Sequence, residues 1–181
     1  RQMCIRDRYV LKDISFSLKE GESLAIVGAT GSGKSTLINA LCRFYEISKG
    51  DIFFDGTSIR SINKFDLRRQ IGLVQQDVIF FSGNILDNIR LGNKKIRNEV
   101  IVSISKAVNS HNFINNLPAQ YEQELKEGGE GISSGQRQLL SFARALANEP
   151  RILVLDEATS NVDLDTEYQI QNGIKEMTRG R

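Results

Sequence analysis

Histidine occurs once in the 181 residues and cysteine twice, and no apolar run approaches the roughly 18 to 20 residues that would cross a bilayer as a helix. The lone His111 excludes a histidine metal cluster and reads as a surface or packing residue rather than a catalyst. Cys4 and Cys42 are too few for a disulfide framework or a cysteine metal site, which fits a reducing compartment; Cys42 is expected to pack in a helix. No secretory signal is visible. Charge of one sign is also scarce: 24 Lys and Arg against 22 Asp and Glu leave a net +2, too little to steer the chain to nucleic acid or an anionic membrane. No nucleic-acid partner is expected. What is present, 40% hydrophobic and 25% charged residues, suits one substantial α/β core with room for a subdomain.

The densest chemical information lies in Gly28-Ala29-Thr30-Gly31-Ser32-Gly33-Lys34-Ser35, which follows the apolar run Leu24-Ala25-Ile26-Val27 and opens a periodic segment at Thr36. Strand, loop and helix are predicted in that order. Glycines let consecutive backbone N–H groups turn inward to a polyphosphate. Lys34 can reach the β and γ oxygens, Ser35 can offer its hydroxyl to Mg²⁺, and the helix presents its positive end to the same anion. A glycine-rich turn with an incidental lysine is the plainer alternative. It is disfavoured by the preceding apolar run and by Leu37, Ile38, Leu41, Phe44 and Tyr45, spaced to build one helix face.

Around this loop the pattern alternates. Residues 1–8 carry three arginines and no period, and are read as a foreign or disordered leader. Strands are predicted at Val10-Leu11, at Ile14-Ser15-Phe16-Ser17-Leu18 and at residues 24–27. The loop helix is expected to end near Lys49-Gly50, and Ile52-Phe53-Phe54 runs into a tight turn at Asp55-Gly56. Ile71-Gly72-Leu73-Val74 is a short buried strand followed by the amides Gln75 and Gln76. From Asn84 to Ala147 the period becomes helical, with Val100, Ile101, Ile104, Ala107 and Val108 as one stripe behind an Asn98 cap. Ser133-Ser134-Gly135 leads into a helix whose apolar face is Leu139, Phe142, Ala143 and Leu146; Gln136, Arg137 and Arg144 lie off that face.

The run Ile152-Leu153-Val154-Leu155 ends abruptly in Asp156-Glu157. Strand tips in parallel α/β sheets face the ligand crevice, so Asp156 can hold Mg²⁺ through water while Glu157 orients or deprotonates an attacking water. Two solvated loop acids are the weaker alternative.

With these pieces in order, the chain from Tyr9 onward resembles the nucleotide-binding domain of ATP-binding cassette (ABC) transporters. Residues 28–36, ending in Thr36, match the Walker A loop and Gln76 the Q-loop glutamine. Ile132-Ser133-Ser134-Gly135-Gln136 matches the signature, residues 152–157 the Walker B strand with its catalytic glutamate, and Ser160-Asn161-Val162-Asp163 the D-loop. Phe80-Phe81-Ser82-Gly83-Asn84-Ile85 and Glu127-Gly128-Gly129 are similar to exporter segments, of the multidrug and lipid type.

The resemblance implies an α/β fold: a P-loop NTPase (RecA-like) core at 9–83 and 149–181 with an antiparallel β subdomain, and an inserted α-helical subdomain at 84–148. It implies ATP and Mg²⁺ as ligands, with Gly28, Ala29, Thr30, Gly31, Ser32, Gly33, Lys34, Ser35 and Thr36 around the phosphates, Ser35, Gln76 and Asp156 at the metal, and Glu157 and Gln76 in catalysis. Ser133, Gly135, Gln136 and Asp163 would meet ATP held by a second cassette, homologous or identical, in a head-to-tail dimer. Tyr9 is the nearest candidate for adenine stacking. The other partner would be a transmembrane domain, which places the cassette at the cytoplasmic face of the membrane. Hydrolysis would reopen the dimer, and residues near Gln76 and 80–88 would pass closure to the membrane helices.

Two features depart from the family pattern. Ser134 replaces a signature glycine, which is either tolerated, the favoured reading, or marks the weaker site of an asymmetric pair. The chain also stops at Arg181 before a switch histidine, so it is expected to be a poorly active fragment with an exposed strand edge and some aggregation tendency. Alternatives to an exporter engine are a regulatory module that binds ATP with little turnover, which Glu157 argues against, and a soluble ABC ATPase, which would carry a coiled-coil insertion or a paired cassette.

Overall fold

A computed structural model describes residues 10–75, 78–126 and 128–156, together with 168 and 172. The chain divides into two compact units, Arg1–Ile71 and Gly72–Arg181.

The first unit contains helix α1 (Lys34–Leu41), a hairpin of β1 (Phe53–Phe54) and β2 (Thr57–Ser58), and helix α2 (Lys64–Arg69). The hairpin forms where Asp55-Gly56 predicts it: Phe54 pairs with Thr57 and Phe53 with Ser58, antiparallel. Both turn residues take positive φ, 49° and 76°, matching the right-handed strand twist. Its flank is tied down by Asp51, whose carboxylate accepts from the Ser58 hydroxyl at 2.7 Å and the Ile52 N–H at 2.8 Å. The Ser58 hydroxyl, first, and the Ile52 N–H hold the Asp51 carboxyl below its ordinary range, with Arg60 helping.

Two expectations for this unit are corrected. The loop helix ends at Leu41, well short of Lys49-Gly50, because Cys42 caps it and Arg43 turns to φ 49°. That turn brings the Arg43 guanidinium to the carbonyls of Ile59 and Ile62, at 2.6 and 2.8 Å. Phe44 and Tyr45 therefore leave the helix face and are exposed. Cys42 is buried, as expected, and burial pushes its thiol pKa up. Secondly, residues 10–11, 14–18 and 24–27 form no strand. A strand needs a neighbour to take its backbone groups, and parallel partners come from remote segments. Among the described residues none pairs with these, and apart from the half-buried Leu11 their apolar side chains stay exposed, Phe16 at 55% and Val27 at 89%.

The second unit begins as β3 (Ile71–Val74) runs into it; β4 (Gly83–Asn84) pairs with β5 (Glu124–Leu125), and β3 with β6 (Ile152–Leu155). Between them lie α3 (Ile85–Arg90), α4 (Asn98–Ala107), α5 (His111–Asn115), a short 3-10 turn (Gln120–Glu122) and α6 (Ser134–Leu146). Val74, Phe80, Ile85, Ile89, Ile101 and Ile114 join the α6 face, Leu139, Leu140, Phe142, Ala143 and Leu146, in one core. Asn98 is the first helical residue of α4 rather than its cap; Arg97 holds that place without a side-chain bond. His111 packs as expected, its Nδ1 2.8 Å from the Tyr121 hydroxyl and its Nε2 2.9 Å from Asn115 Nδ2.

Arg144 lies off the apolar face of α6 but is not a solvated residue. Its Nε donates to the Asn88 carbonyl at 3.0 Å and its Nη1 to the Ile79 carbonyl at 2.7 Å, and the guanidinium sits 4.7 Å from the Phe80 ring centre. Burial pushes its pKa down to about 10, leaving it cationic at neutral pH. Asn88 accepts from the Phe81 N–H and donates to the Phe81 carbonyl, at 3.0 and 2.9 Å. Together the two side chains bind residues 79–81 to α3 and α6.

Candidate functional site

The phosphate loop folds as its glycines require. Gly31 and Gly33 take φ 83° and 101°, and the Ser32 N–H closes a turn on the Ala29 carbonyl at 3.1 Å. A Cβ on Gly33 would come within 2.7 Å of Leu11 on a left-handed backbone that side chains rarely adopt, so this position favours glycine; one on Gly28 would meet only the Ser32 side chain, its hydroxyl at 2.6 Å. Helix α1 starts at Lys34 with no acidic residue in its first turn, leaving the positive helix end uncompensated by a side chain. Lys34 Nζ donates to the carbonyls of Gly28 and Ala29, at 2.8 and 3.3 Å, which holds the ammonium over the loop. Thr30, Ser35 and Thr36 complete this stretch, with Ser35 and Thr36 in the first turn of α1. A glycine cradle, an ammonium and a bare helix start suit a polyphosphate.

In the second unit, Ser133 is the N-cap of α6. Its hydroxyl accepts from the Gln136 N–H at 3.1 Å, while Gln136 Oε1 accepts from the Ser133 N–H at 3.0 Å, a reciprocal capping box. Sequence reasoning took Ser133 and Gln136 for ligand contacts and missed this local role, although Ser-x-x-Gln ahead of an apolar helix is its signal. Gly135 is buried in the first turn. Ser134 occupies an ordinary helical position, where a Cβ brings no backbone strain. Upstream, Gly129 takes φ 74°, and a Cβ there would lie 3.0 Å from Arg137 and 3.1 Å from Phe80. Gly128 donates its N–H to the Phe80 carbonyl at 3.2 Å.

The tips of β3 and β6 lie side by side: the Asp156 N–H donates to the Val74 carbonyl at 2.9 Å. Asp156 thus stands at a strand end, as its sequence position predicts. Gln76, Glu157, Asp163 and Tyr9 lie outside the described residues, as does Glu127. Among the described residues no three His, Cys, Asp or Glu side chains gather as a metal cage.

A glycine cradle opening a helix, with an acid-tipped strand and a capped helix in a largely helical unit, defines an α/β protein of the P-loop NTPase class. The chain belongs to the ABC transporter family, whose model matches residues 11–160. It is 47% identical over 172 residues to proteins of Staphylococcus aureus named for multidrug export as ATP-binding/permease proteins, among them those of strains bovine RF122 / ET3-1 and Mu50 / ATCC 700699. Each alignment covers 95% of this chain and 30% of the relative. A solved structure of a bacterial Atm1-family ABC exporter with ATP bound superposes with a TM-score of 0.90 at 36% identity, covering 97% of this chain and 31% of that one. The chain thus spans about a third of the length of these relatives. No helix among the described residues is long and apolar enough to cross a membrane.

Proposed function

We propose that this chain is the ATP-binding and ATP-hydrolysing part of an ABC exporter, working at the cytoplasmic face of a membrane beside a transmembrane domain. The observation that carries the reading is the left-handed Gly33 set directly against the start of α1 with Lys34 over the loop, a geometry that suits a polyphosphate. In this reading Gly28 to Thr36 surround the phosphates, and Ser35, Asp156 and Gln76 would hold Mg²⁺, which would supply neutralising charge for the phosphate oxygens. Glu157 orients the attacking water and takes its proton.

A second cassette completes each site from its signature: Ser133, Gly135 and the start of α6 face the γ-phosphate of ATP bound to the partner, with Asp163 near the same junction. ATP then joins the two cassettes and its hydrolysis separates them, a shift of populations driven by differential affinity. Arg144 and Asn88 tie the segment after Gln76 to the helical unit and so give closure a stiff lever toward the membrane helices. The cassette core is assigned to 9–83 and 149–181 and the helical insert to 84–148; the exported compound is drug-like or lipid-like, and the relatives' names, which speak of multidrug export, support the first.

The Glu157→Gln variant tests this reading. An ATPase engine should lose turnover by at least about a hundredfold while retaining ATP in a stable dimer, measured by phosphate release and by sedimentation with and without ATP. Unchanged phosphate release would overturn the assignment of Glu157, and no ATP-dependent association in either form would sink the cassette dimer.

A further inference from the structure

Residues 90–97 hold four cations, Arg90, Lys94, Lys95 and Arg97, and no acid, in a chain whose charges otherwise nearly cancel. They form the connection between α3 and α4 in the second unit. Arg90 is engaged: its Nη1 lies 3.9 Å from Asp87 Oδ1, and its Nη2 donates to the Asn98 side-chain oxygen. Lys94, Lys95 and Arg97 are exposed, and among the described residues none of the three pairs with a carboxylate. The loop that carries them is folded on itself. The Asn93 N–H donates to the Arg90 carbonyl and the Ile96 N–H to the Asn93 carbonyl, both at 3.0 Å. Asn93 Oδ1 accepts from the Lys95 N–H at 3.2 Å, while Asn93 Nδ2 donates to Asn148 Oδ1 at 2.8 Å. Ile96 packs against the core, and Arg97 occupies the N-cap position of α4.

Three cations on a backbone held in place by Asn93 and Ile96 make a local positive field that no carboxylate of the loop relieves. Binding an anion there orders no loose loop, which lowers its entropic cost. The surroundings decide the shape of that anion. Asp87 on α3, Glu99 in the first turn of α4 and Glu149 next to Asn148 are all exposed acids near this loop in the chain or tied to it. A broad anionic surface such as a membrane would meet these acids together with the cations, and much of its attraction would cancel. A narrow anion meets the cations alone. Residues 94–97 span at most about 10 Å, the length of three or four residues of extended chain. We propose that the loop between α3 and α4 docks a short acidic peptide segment of a partner protein, with carboxylates set against Lys94, Lys95 and Arg97. Electrostatic complementarity of this kind favours fast, salt-sensitive and reversible attachment. The site uses neither the phosphate loop nor a second cassette, so it stands independently of the head-to-tail dimer.

Fluorescence anisotropy of a labelled decaglutamate peptide, titrated with the full chain at low salt, tests the proposal, with decaglutamine as the uncharged control. Decaglutamate should bind and decaglutamine should not. The K94Q/K95Q/R97Q variant should weaken decaglutamate binding about tenfold, as expected for the loss of three exposed ion pairs. The K12Q/K19Q/K106Q variant removes the same charge from elsewhere on the surface and should weaken it by less than about twofold. If the first variant does not fold, K95E alone should still weaken binding at least about threefold. Saturating ATP should leave the titration unchanged. Equal losses in the two triple variants would make the binding a product of overall charge and overturn the proposal. Displacement by ATP would overturn it too, because the peptide would then lie on the phosphate loop. So would capture of the unaltered chain by phosphatidylserine vesicles without any hold on decaglutamate, which would make the loop a membrane contact.

Discussion

Residues 10–27 and the helical part of the second unit are both rich in apolar side chains, yet they end in opposite states. Ile14, Phe16, Leu18, Leu24, Ile26 and Val27 are exposed, whereas Ile85, Ile89, Ile101, Ile114, Leu140 and Phe142 are almost wholly buried. The difference lies in the range over which each pattern closes. A helix satisfies its own backbone, and its stripe needs only another stripe nearby; α3, α4 and α6 supply these to one another within one stretch of chain. A strand satisfies nothing alone. The alternation in residues 14–18 and the apolar run at 24–27 specify a strand's faces without specifying who pairs with it.

The largest consequence is for stability. Leu140, fully buried in the α6 face, should cost about 2–5 kcal/mol when cut to alanine, through lost burial and the cavity left behind. Phe16→Ala, at a position 55% exposed, should cost no more than about 0.5 kcal/mol despite the larger side chain. Urea unfolding of both variants measures the contrast. Equal losses would show that residues 10–27 are covered in solution and would remove the distinction between the two regions.

Arg144 sharpens the same comparison, because it closes the second unit with polar rather than apolar contacts. Arg144→Ala removes the donors to the carbonyls of Asn88 and Ile79 and the cation over Phe80, and the expected cost is about 2–3 kcal/mol. Arg144→Lys should restore only part, since an ammonium cannot reproduce the planar fork. Faster hydrogen exchange at the Phe81 amide, held by Asn88, would report loosening of residues 79–81 in particular. No change there would mean that Phe80 packing alone holds the segment.

How much was legible follows the same rule of range. The Asp55-Gly56 turn, the strands β3 and β6 and the buried face of α6 depend on near neighbours, and each appears where the sequence pattern puts it, whereas the α4 stripe holds at Ile101, Ile104 and Val108 but leaves Ala107 exposed and buries Ser105 instead. The phosphate loop was readable because glycines, lysine and helix start are contiguous. The capping box of Ser133 and Gln136 was readable too, but a functional motif at the same residues drew the reading away from it. The early end of α1 was not, because Arg43 leaves the helix for carbonyls sixteen and nineteen residues away. Arg144 was invisible for the same reason: its partner Asn88 is 56 residues distant, and helical periodicity marks only that the side chain is off the apolar face.

The smallest effect tests whether a part of the first unit is closed on its own. The Asp51 carboxyl is held below its ordinary range chiefly by the Ser58 hydroxyl, with the Ile52 N–H and Arg60 assisting. For an acid whose folded pKa is depressed, the stabilisation is present above the unfolded pKa, near 3.8, and disappears as pH falls through the lower folded value. The β1–β2 hairpin should therefore loosen below about pH 4, and Asp51→Asn should abolish that dependence. Because the site is open to solvent, salt and water screen it and the effect will be slight, best followed through the amide resonances of residues 51–58. The partners that set the Asp51 titration, Ser58, Ile52 and Arg60, lie within ten residues of it, so its titration should be the same with and without nucleotide. A titration that moves when ATP is added would mean that events at the phosphate loop reach the hairpin, and that the first unit is more continuous than its local bonds require.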